Sequence, residues 1–413
     1  MATEENFRCA GGPPRRVIRS SAALVAALAL LLGGLVGCGE QRGVVAAAPG
    51  EVVSVTQVLG ATTEQTAAYL NQWAIQTPVR NGVDAYRVVY RTLGPDGDGT
   101  TASGLVVLPR GEARKLPVVS YAHGTIVRKD EAPSADAETD RARTVLFAAA
   151  GYAAVAPDYL GLGEGPGPHP YAHAPTEASA SADLLRAARA VAEREGRELD
   201  GTLLVTGFSQ GGQAAMALAQ RVAAEPESGF TLAGVAAVSG PYALREVQKP
   251  AAFDGRITPR AAVLYIAYWL TAMNRIYHLY DDPSEAFQPP YAERVEQLFD
   301  GRHDILSVST GLPATPRELL TPRFQELALD PTGAALRAMT DSDGVCDWTP
   351  PAPVRLYVSS ADRAVPAANA ELCRADLGDR ASVVDLGPVD HSATVRLALP
   401  RTLDWFGELA PAP

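Results

Sequence analysis

The segment Leu203-Leu-Val-Thr-Gly-Phe-Ser209-Gln-Gly-Gly-Gln-Ala-Ala-Met-Ala217 changes its periodicity midway, and that change decides the fold. Residues 203–206 are an apolar, β-branched run suited to a strand buried on both faces. From Gln210 the chain turns Ala-rich, and a helix is expected over 210–224. Gly207-Phe208-Ser209-Gln210-Gly211 lies between them and matches Gly-x-Ser-x-Gly. A strand that turns this sharply into a helix exposes the Ser209 hydroxyl, and Gly207 and Gly211 let the two backbones approach without Cβ contacts. The helix N-terminus then presents unpaired N–H groups beside that hydroxyl. Ser209 is therefore the candidate nucleophile.

Outward from this elbow, strand and helix patterns alternate. Residues 116–122 (Leu-Pro-Val-Val-Ser-Tyr-Ala), 152–157, 232–239, 354–359 and 381–386 read as buried strands. Helical spacing fills 139–150 and 177–194. Upstream, β-branched runs at 86–92 and 103–109 flank Gly-Pro-Asp-Gly-Asp-Gly, the signature of a hairpin. Such alternation predicts an α/β fold with a mostly parallel, doubly wound sheet. The rhythm stops between Leu244 and Pro353, a stretch too long for a bare loop. Helical patterns at 258–280, 291–298 and 317–327 predict an inserted helical cap over 245–352. Tyr265, Tyr268, Trp269, Ile276 and Tyr280 share helical spacing there, as the core of the cap or as an apolar wall over a substrate. Asn274, Arg275 and His278 in the same stretch argue against a membrane span.

A serine hydroxyl needs a base. In an elbow-type site the chain order is Ser, then Asp or Glu, then His, each just past a strand. Of the six His, three follow Ser209, and His278 and His303 fall in the insertion. His391 follows the last expected strand and is the candidate base. Asp362 follows the strand before it and is the candidate acid. Asp347 precedes that strand, and Asp390 adjoins His391 too closely to orient it easily. An oxyanion needs two N–H donors. Gln210 supplies one, and Thr125, in the loop His123-Gly124-Thr125 after strand 116–122, is the candidate for the other. His123 then reads as a structural loop residue.

Four motifs taken in order, Tyr-Ala-His-Gly-Thr (121–125), Ala-Pro-Asp-Tyr-Leu-Gly-Leu-Gly (156–163), His-Pro-Tyr-Ala-His (169–173) and Gly-Phe-Ser-Gln-Gly-Gly (207–212), resemble the secretory lipase family, related to yeast lipase A. The resemblance runs through most of the chain after about residue 60. It implies an α/β-hydrolase with a helical cap that acts on carboxylic esters, with long-chain acylglycerols among the candidates. It also suggests that residues 169–173 line the mouth of a pocket. His169 and His173 have the i,i+4 spacing of a helical metal pair, but Pro166, Pro168, Pro170 and Pro175 oppose that helix. No CxxC occurs, so no metal site is expected, and nothing calls for a cofactor.

The N-terminus reads as an address. Arg15, Arg16 and Arg19 precede an apolar run at 22–36, shorter than the roughly 20 residues a spanning helix needs. It ends Leu35-Val36-Gly37-Cys38, which resembles a bacterial lipobox. Residues 1–37 are expected to be a lipoprotein signal, Cys38 the lipid anchor, 38–60 a linker and 61–413 the hydrolase domain. Arg15-Arg16 also leaves twin-arginine export open. Cleavage would remove four Arg and two Glu, taking the net charge from −11 to −13. That acidity excludes a general nucleic-acid binder and leaves membrane attachment to acyl chains. Composition, with 47% hydrophobic and 20% charged residues, excludes disorder. With Cys9 in the signal, Cys346 and Cys373 remain as one pair suited to a disulfide in an oxidising compartment. The expectation is an extracytoplasmic serine hydrolase acting on a small-molecule or lipid ester. A peptidase or acyltransferase with the same triad is the alternative, and a silent surface binding lipoprotein the remote one.

Overall fold

The computed structural model describes residues 48–135, 138–225 and 228–413. The expected signal, Cys38 and the first part of the linker lie outside the described residues. Nine strands form one sheet: β1 (Val52–Ala61), β2 (Gly82–Leu93), β3 (Gly99–Arg110), β4 (Lys115–Ala122), β5 (Ala153–Pro157), β6 (Glu198–Phe208), β7 (Thr231–Val238), β8 (Val354–Val358) and β9 (Ala381–Asp385). Their spatial order is β1-β2-β3-β5-β4-β6-β7-β8-β9. The first three strands join β5 by antiparallel pairing, and β5, β4, β6, β7, β8 and β9 pair in parallel.

Successive residues of the central strands enter opposite apolar layers, as the period-2 geometry of a strand requires. Val118, Leu203 and Val205 pack into one layer, whereas Val119 and Leu204 pack into the other. Helices α3 (Ala174–Arg194) and α4 (Gln210–Ala224) cover the first, and α2 (Glu138–Ala149) with the last helix, His391–Leu409, covers the second. Alanines at 214, 215, 217 and 219 let α4 sit close to the sheet. A fully buried Leu such as Leu204 contributes about 1.5–3 kcal/mol.

Residues 52–61, largely within the stretch read as linker, form β1, and Thr62 caps a helix α1 (Thr63–Gln72) through a capping box with Gln65. β1 is an edge strand with exposed positions on both faces, so it carries no clean alternation to read.

Among the described residues no strand occurs between β7 and β8. The chain there forms a short π-helical turn at Leu244–Gln248, helices α5 (Lys249–Asp254) and α6 (Pro259–Tyr277), and several shorter helices with a core of their own. Residues 317–327, expected to be one helix, are two: Pro316–Leu319 and Pro322–Leu329. Pro322 lacks the N–H that would continue the first, and Thr321 caps the second instead. Only Val295–Leu298 of 291–298 is helical. Tyr268 and Tyr280 are buried in the cap core, whereas Tyr265 and Trp269 are half-buried and line a cavity, so the aromatic stripe serves both ends expected of it. No described helix is long and apolar enough to cross a membrane. The returning stem is tied to helix Ala368–Leu377 by the disulfide Cys346–Cys373.

Candidate active site

Ala122, the last residue of β4, pairs with Gly207 of β6, so the loops that follow these strands leave the sheet side by side. Ser209 then adopts φ 58° and ψ −122°, a left-handed conformation that costs on the order of 1–3 kcal/mol for a residue with a Cβ. The surroundings fix it there. Its N–H donates to the Val238 carbonyl (2.9 Å), and its own carbonyl accepts from Gly212 (2.8 Å). A Cβ at Gly207 would run into the Gly211 carbonyl, and one at Gly211 into the Ala122 carbonyl. Both positions accept only glycine, for the reason the motif suggested.

The loops after β8 and β9 bring Asp362 and His391 to the same point. His391 Nε2 lies 2.9 Å from Ser209 Oγ, and His391 Nδ1 lies 2.7 Å from Asp362 Oδ2. With Nδ1–H donated to the carboxylate, Nε2 is free to accept the serine proton. Asp362 is buried, and burial alone would raise its pKa. The hydrogen bond and charge of His391, with N–H groups of Val365 and Ala364 on Oδ1, outweigh burial and hold the carboxyl below its ordinary value. The Phe208 ring packs against the imidazole at 4.6 Å. Asp390 is the N-cap of the last helix, donating no orientation to His391: its Oδ1 accepts from the Ala393 N–H. Asp347 closes a turn at Gly344–Cys346.

Gln210 is the first residue of α4, so its N–H has no partner within the helix and lies next to Ser209. The loop carrying Thr125 packs on the elbow: a Cβ at Gly124 would meet the Phe208 ring at 3.2 Å and the Ser209 Cβ at 3.5 Å. The His123 ring is buried between the Gly124 and Asp158 carbonyls and tilts against Tyr159.

An open cleft of about 120 Å³ reaches Ser209 and Gln210. Its walls are almost wholly apolar and come largely from the insertion, including Phe253, Ile266, Trp269, Leu270 and Leu327. Such a site can position a carbonyl between Ser209 and the helix N-terminus while burying an apolar chain.

Three buried side chains beside Ser209 escaped the sequence reading as a group. The Gln210 amide donates to Glu177 Oε1 (2.7 Å) and lies 2.9 Å from His169 Nε2. Burial raises the Glu177 carboxyl to about 8, against the opposing hydrogen bond from Gln210. Burial pushes His169 down to about 3, so it is neutral. Glu177 lies in the first turn of an Ala-rich helix and resembles any first-turn carboxylate, and no local pattern announces its partners. His169 and His173 bond different partners. His169 Nδ1 bonds the Leu160 carbonyl, and His173 bonds Thr176 and Tyr277.

No family model matches the chain, and no curated protein sequence does. Solved structures do. A putative hydrolase from Legionella pneumophila shares 27% identity and superposes with a TM-score of 0.79 over 87% of this chain and 98% of its own. The rice cell wall degrading esterase LipA from Xanthomonas oryzae, in a ligand-bound form, shares 27% identity with a TM-score of 0.76, again over 87% and 98%. Candida antarctica lipase A in its closed state, at 16% identity and TM-score 0.62, covers 86% of this chain and 83% of its own and speaks to the fold alone. The architecture is that of an α/β-hydrolase with a helical cap inserted after β7.

Proposed function

We propose that this α/β-hydrolase is a secreted serine hydrolase that cleaves carboxylic esters and belongs with the secretory lipases. The observation that carries the reading is the unbroken hydrogen-bonded line Asp362–His391–Ser209 at the foot of an apolar cleft. Ser209 Oγ attacks the ester carbonyl carbon as His391 Nε2 takes its proton. The negative charge that develops on the carbonyl oxygen is received by the N–H groups of Gln210 and Thr125. The tetrahedral intermediate collapses by breaking the bond to the alcohol, which leaves with the proton from His391. Water, activated by the same imidazole, then releases the acid and restores Ser209. Asp362 holds the imidazole tautomer and stabilises its charged form without itself taking a proton.

The apolar walls favour an ester with a hydrocarbon acyl chain. The esterase and hydrolase named above support ester cleavage at the same coarse level. The proposed signal and Cys38 anchor would hold the enzyme outside the cytoplasm, on a membrane. Labelling with a fluorophosphonate probe, comparing wild type with Ser209→Ala, tests the reading. It is to be followed by a p-nitrophenyl ester series beside matched amides and acyl acceptors. Ser209-dependent labelling with preferred ester hydrolysis is expected. Equal labelling of both proteins would overturn the nucleophile, and faster amide cleavage would favour a peptidase.

A further inference from the structure

The His169-Pro-Tyr-Ala-His173 loop takes part in no step of the chemistry above, yet it touches both residues assigned to the oxyanion. Tyr171 Oη lies 3.0 Å from Thr125 Oγ1. His169 Nε2 lies 2.9 Å from the Gln210 amide nitrogen. The direction of the second bond is fixed, because His169 Nδ1–H is spent on the Leu160 carbonyl at 2.9 Å, leaving Nε2 to accept. The other Gln210 amide hydrogen goes to buried Glu177, so this side chain cannot rotate without losing two bonds.

The cap grips the same loop. Tyr268, on α6, stacks face to face on Tyr171 with ring centroids 4.2 Å apart and planes at 2°. It meets the edge of His169 at 5.9 Å and is backed by Phe299 of the cap at 4.5 Å. Its hydroxyl donates to the Ile126 carbonyl (3.3 Å), one residue beyond Thr125. A single cap residue therefore contacts both rings that hold the two donor residues, and the donor loop as well.

We infer that His169 and Tyr171 are positioning residues that set the oxyanion hole, and that Tyr268 makes the hole depend on where the cap sits. The inference rests on the serine-hydrolase reading. Each residue acts through Gln210 or Thr125 and touches no reacting atom. Their effect therefore falls mainly on the transition state, where charge appears on the carbonyl oxygen; Tyr171 also lines the cleft, and Tyr171→Phe leaves its ring in that wall.

The test uses the full chain, with active sites titrated by a fluorophosphonate so that misfolded molecules are not counted. Tyr171→Phe keeps the stack and removes the bond to Thr125. Tyr268→Ala removes the stack, and Tyr268→Phe restores it without the bond to Ile126. kcat per titrated site should fall about 10-fold in Tyr171→Phe and about 10- to 100-fold in Tyr268→Ala, less than the loss of a whole donor. KM should stay within about twofold, as expected for an interaction made only in the transition state. Tyr268→Phe should recover most of the loss. An aryl boronic acid, which forms a tetrahedral adduct on Ser209, should bind the impaired variants weakly in proportion to kcat. Unchanged kcat per site in Tyr171→Phe and Tyr268→Ala overturns the inference. If Tyr268→Ala does not fold, Tyr171→Phe, which loses one oxygen atom, decides alone. Absence of Ser209-dependent turnover in the wild type overturns the underlying reading instead, and is read first.

Discussion

His391 Nε2 stands 2.9 Å from Ser209 Oγ although 182 residues separate the two in sequence. The distance is set by the parallel register of β6 through β9, because each partner follows the carboxyl end of its strand by only a few residues. Asp362 completes the line, and its role is separable from geometry. Asp362→Asn keeps size and shape but can donate to Nδ1, which favours the tautomer with its proton on Nε2. kcat on a p-nitrophenyl ester should drop by about 10⁴, with KM little changed. Combining Asp362→Asn with Ser209→Ala should cost no more than Ser209→Ala alone, because the residues act as a unit.

Glu177 makes the fold sensitive to alkali. Its folded carboxyl, raised by burial, holds a proton up to about pH 8, whereas the unfolded chain gives that proton up near its ordinary 4.5. The contribution of this group to stability is therefore fully present below about pH 4.5 and is lost as the pH rises to about 8. Glu177→Gln removes the titration. The difference in unfolding free energy between wild type and Glu177→Gln should move against the wild type by on the order of 1–3 kcal/mol from pH 5 to pH 8. Urea unfolding at the two pH values measures it, and a constant difference would contradict a raised folded-state pKa.

What could be read in the chain follows the range of the forces involved. The elbow at 203–217 was legible because its demands are local: a tight turn, two glycines and a helix start. The strand-end placement of Asp362 and His391 follows from periodicity, and their order from the Ser–acid–His order of an elbow-type site. The edge strand β1 was not legible, since half-exposed residues on both faces leave no alternation. The break at Leu320 and Thr321 is written in Pro322, and the apolar spacing that runs across it masks it. The contacts of Gln210 with Glu177 and His169 escape the sequence, because these lie 33 and 41 residues before it and meet it only when α3 and the loop preceding it pack on α4.

Gly211 tests the elbow's steric logic. A methyl group there collides with backbone, the Ala122 carbonyl at the end of β4, which cannot rotate aside as a side chain would. Gly211→Ala should therefore push β4 and α4 apart and shift the Gln210 N–H from the reacting carbonyl. Both a lower melting temperature and at least about a 10²-fold loss in kcat are expected, the latter from the displaced donor. Circular dichroism melts and turnover per titrated site measure the two effects separately.

The disulfide between Cys346 and Cys373 closes a loop of 27 residues that contains β8 and Asp362. Both sulfurs are buried, so reduction needs prior opening of the stem. The double substitution Cys346→Ala with Cys373→Ala should lower unfolding free energy by about 2–4 kcal/mol, chiefly by freeing the unfolded chain. Turnover at 25 °C should survive, because neither sulfur contacts the Ser209 line.

On the proposed ester-hydrolase reading, the cleft walls are expected to set acyl preference. Each methylene moved from water into an apolar cleft contributes up to about 0.8 kcal/mol, so kcat/KM should climb with acyl length until the cleft is full. Leu270 lies on α6 beside Trp269, both facing that space. Leu270→Trp fills it with a larger ring and should lower kcat/KM for long-chain p-nitrophenyl esters by at least about tenfold while leaving the acetate ester within about twofold, since a short acyl group stays next to Ser209. The chain-length profile of wild type and variant decides the point. Parallel profiles would mean that the acyl chain lies elsewhere, along the alcohol side of the site.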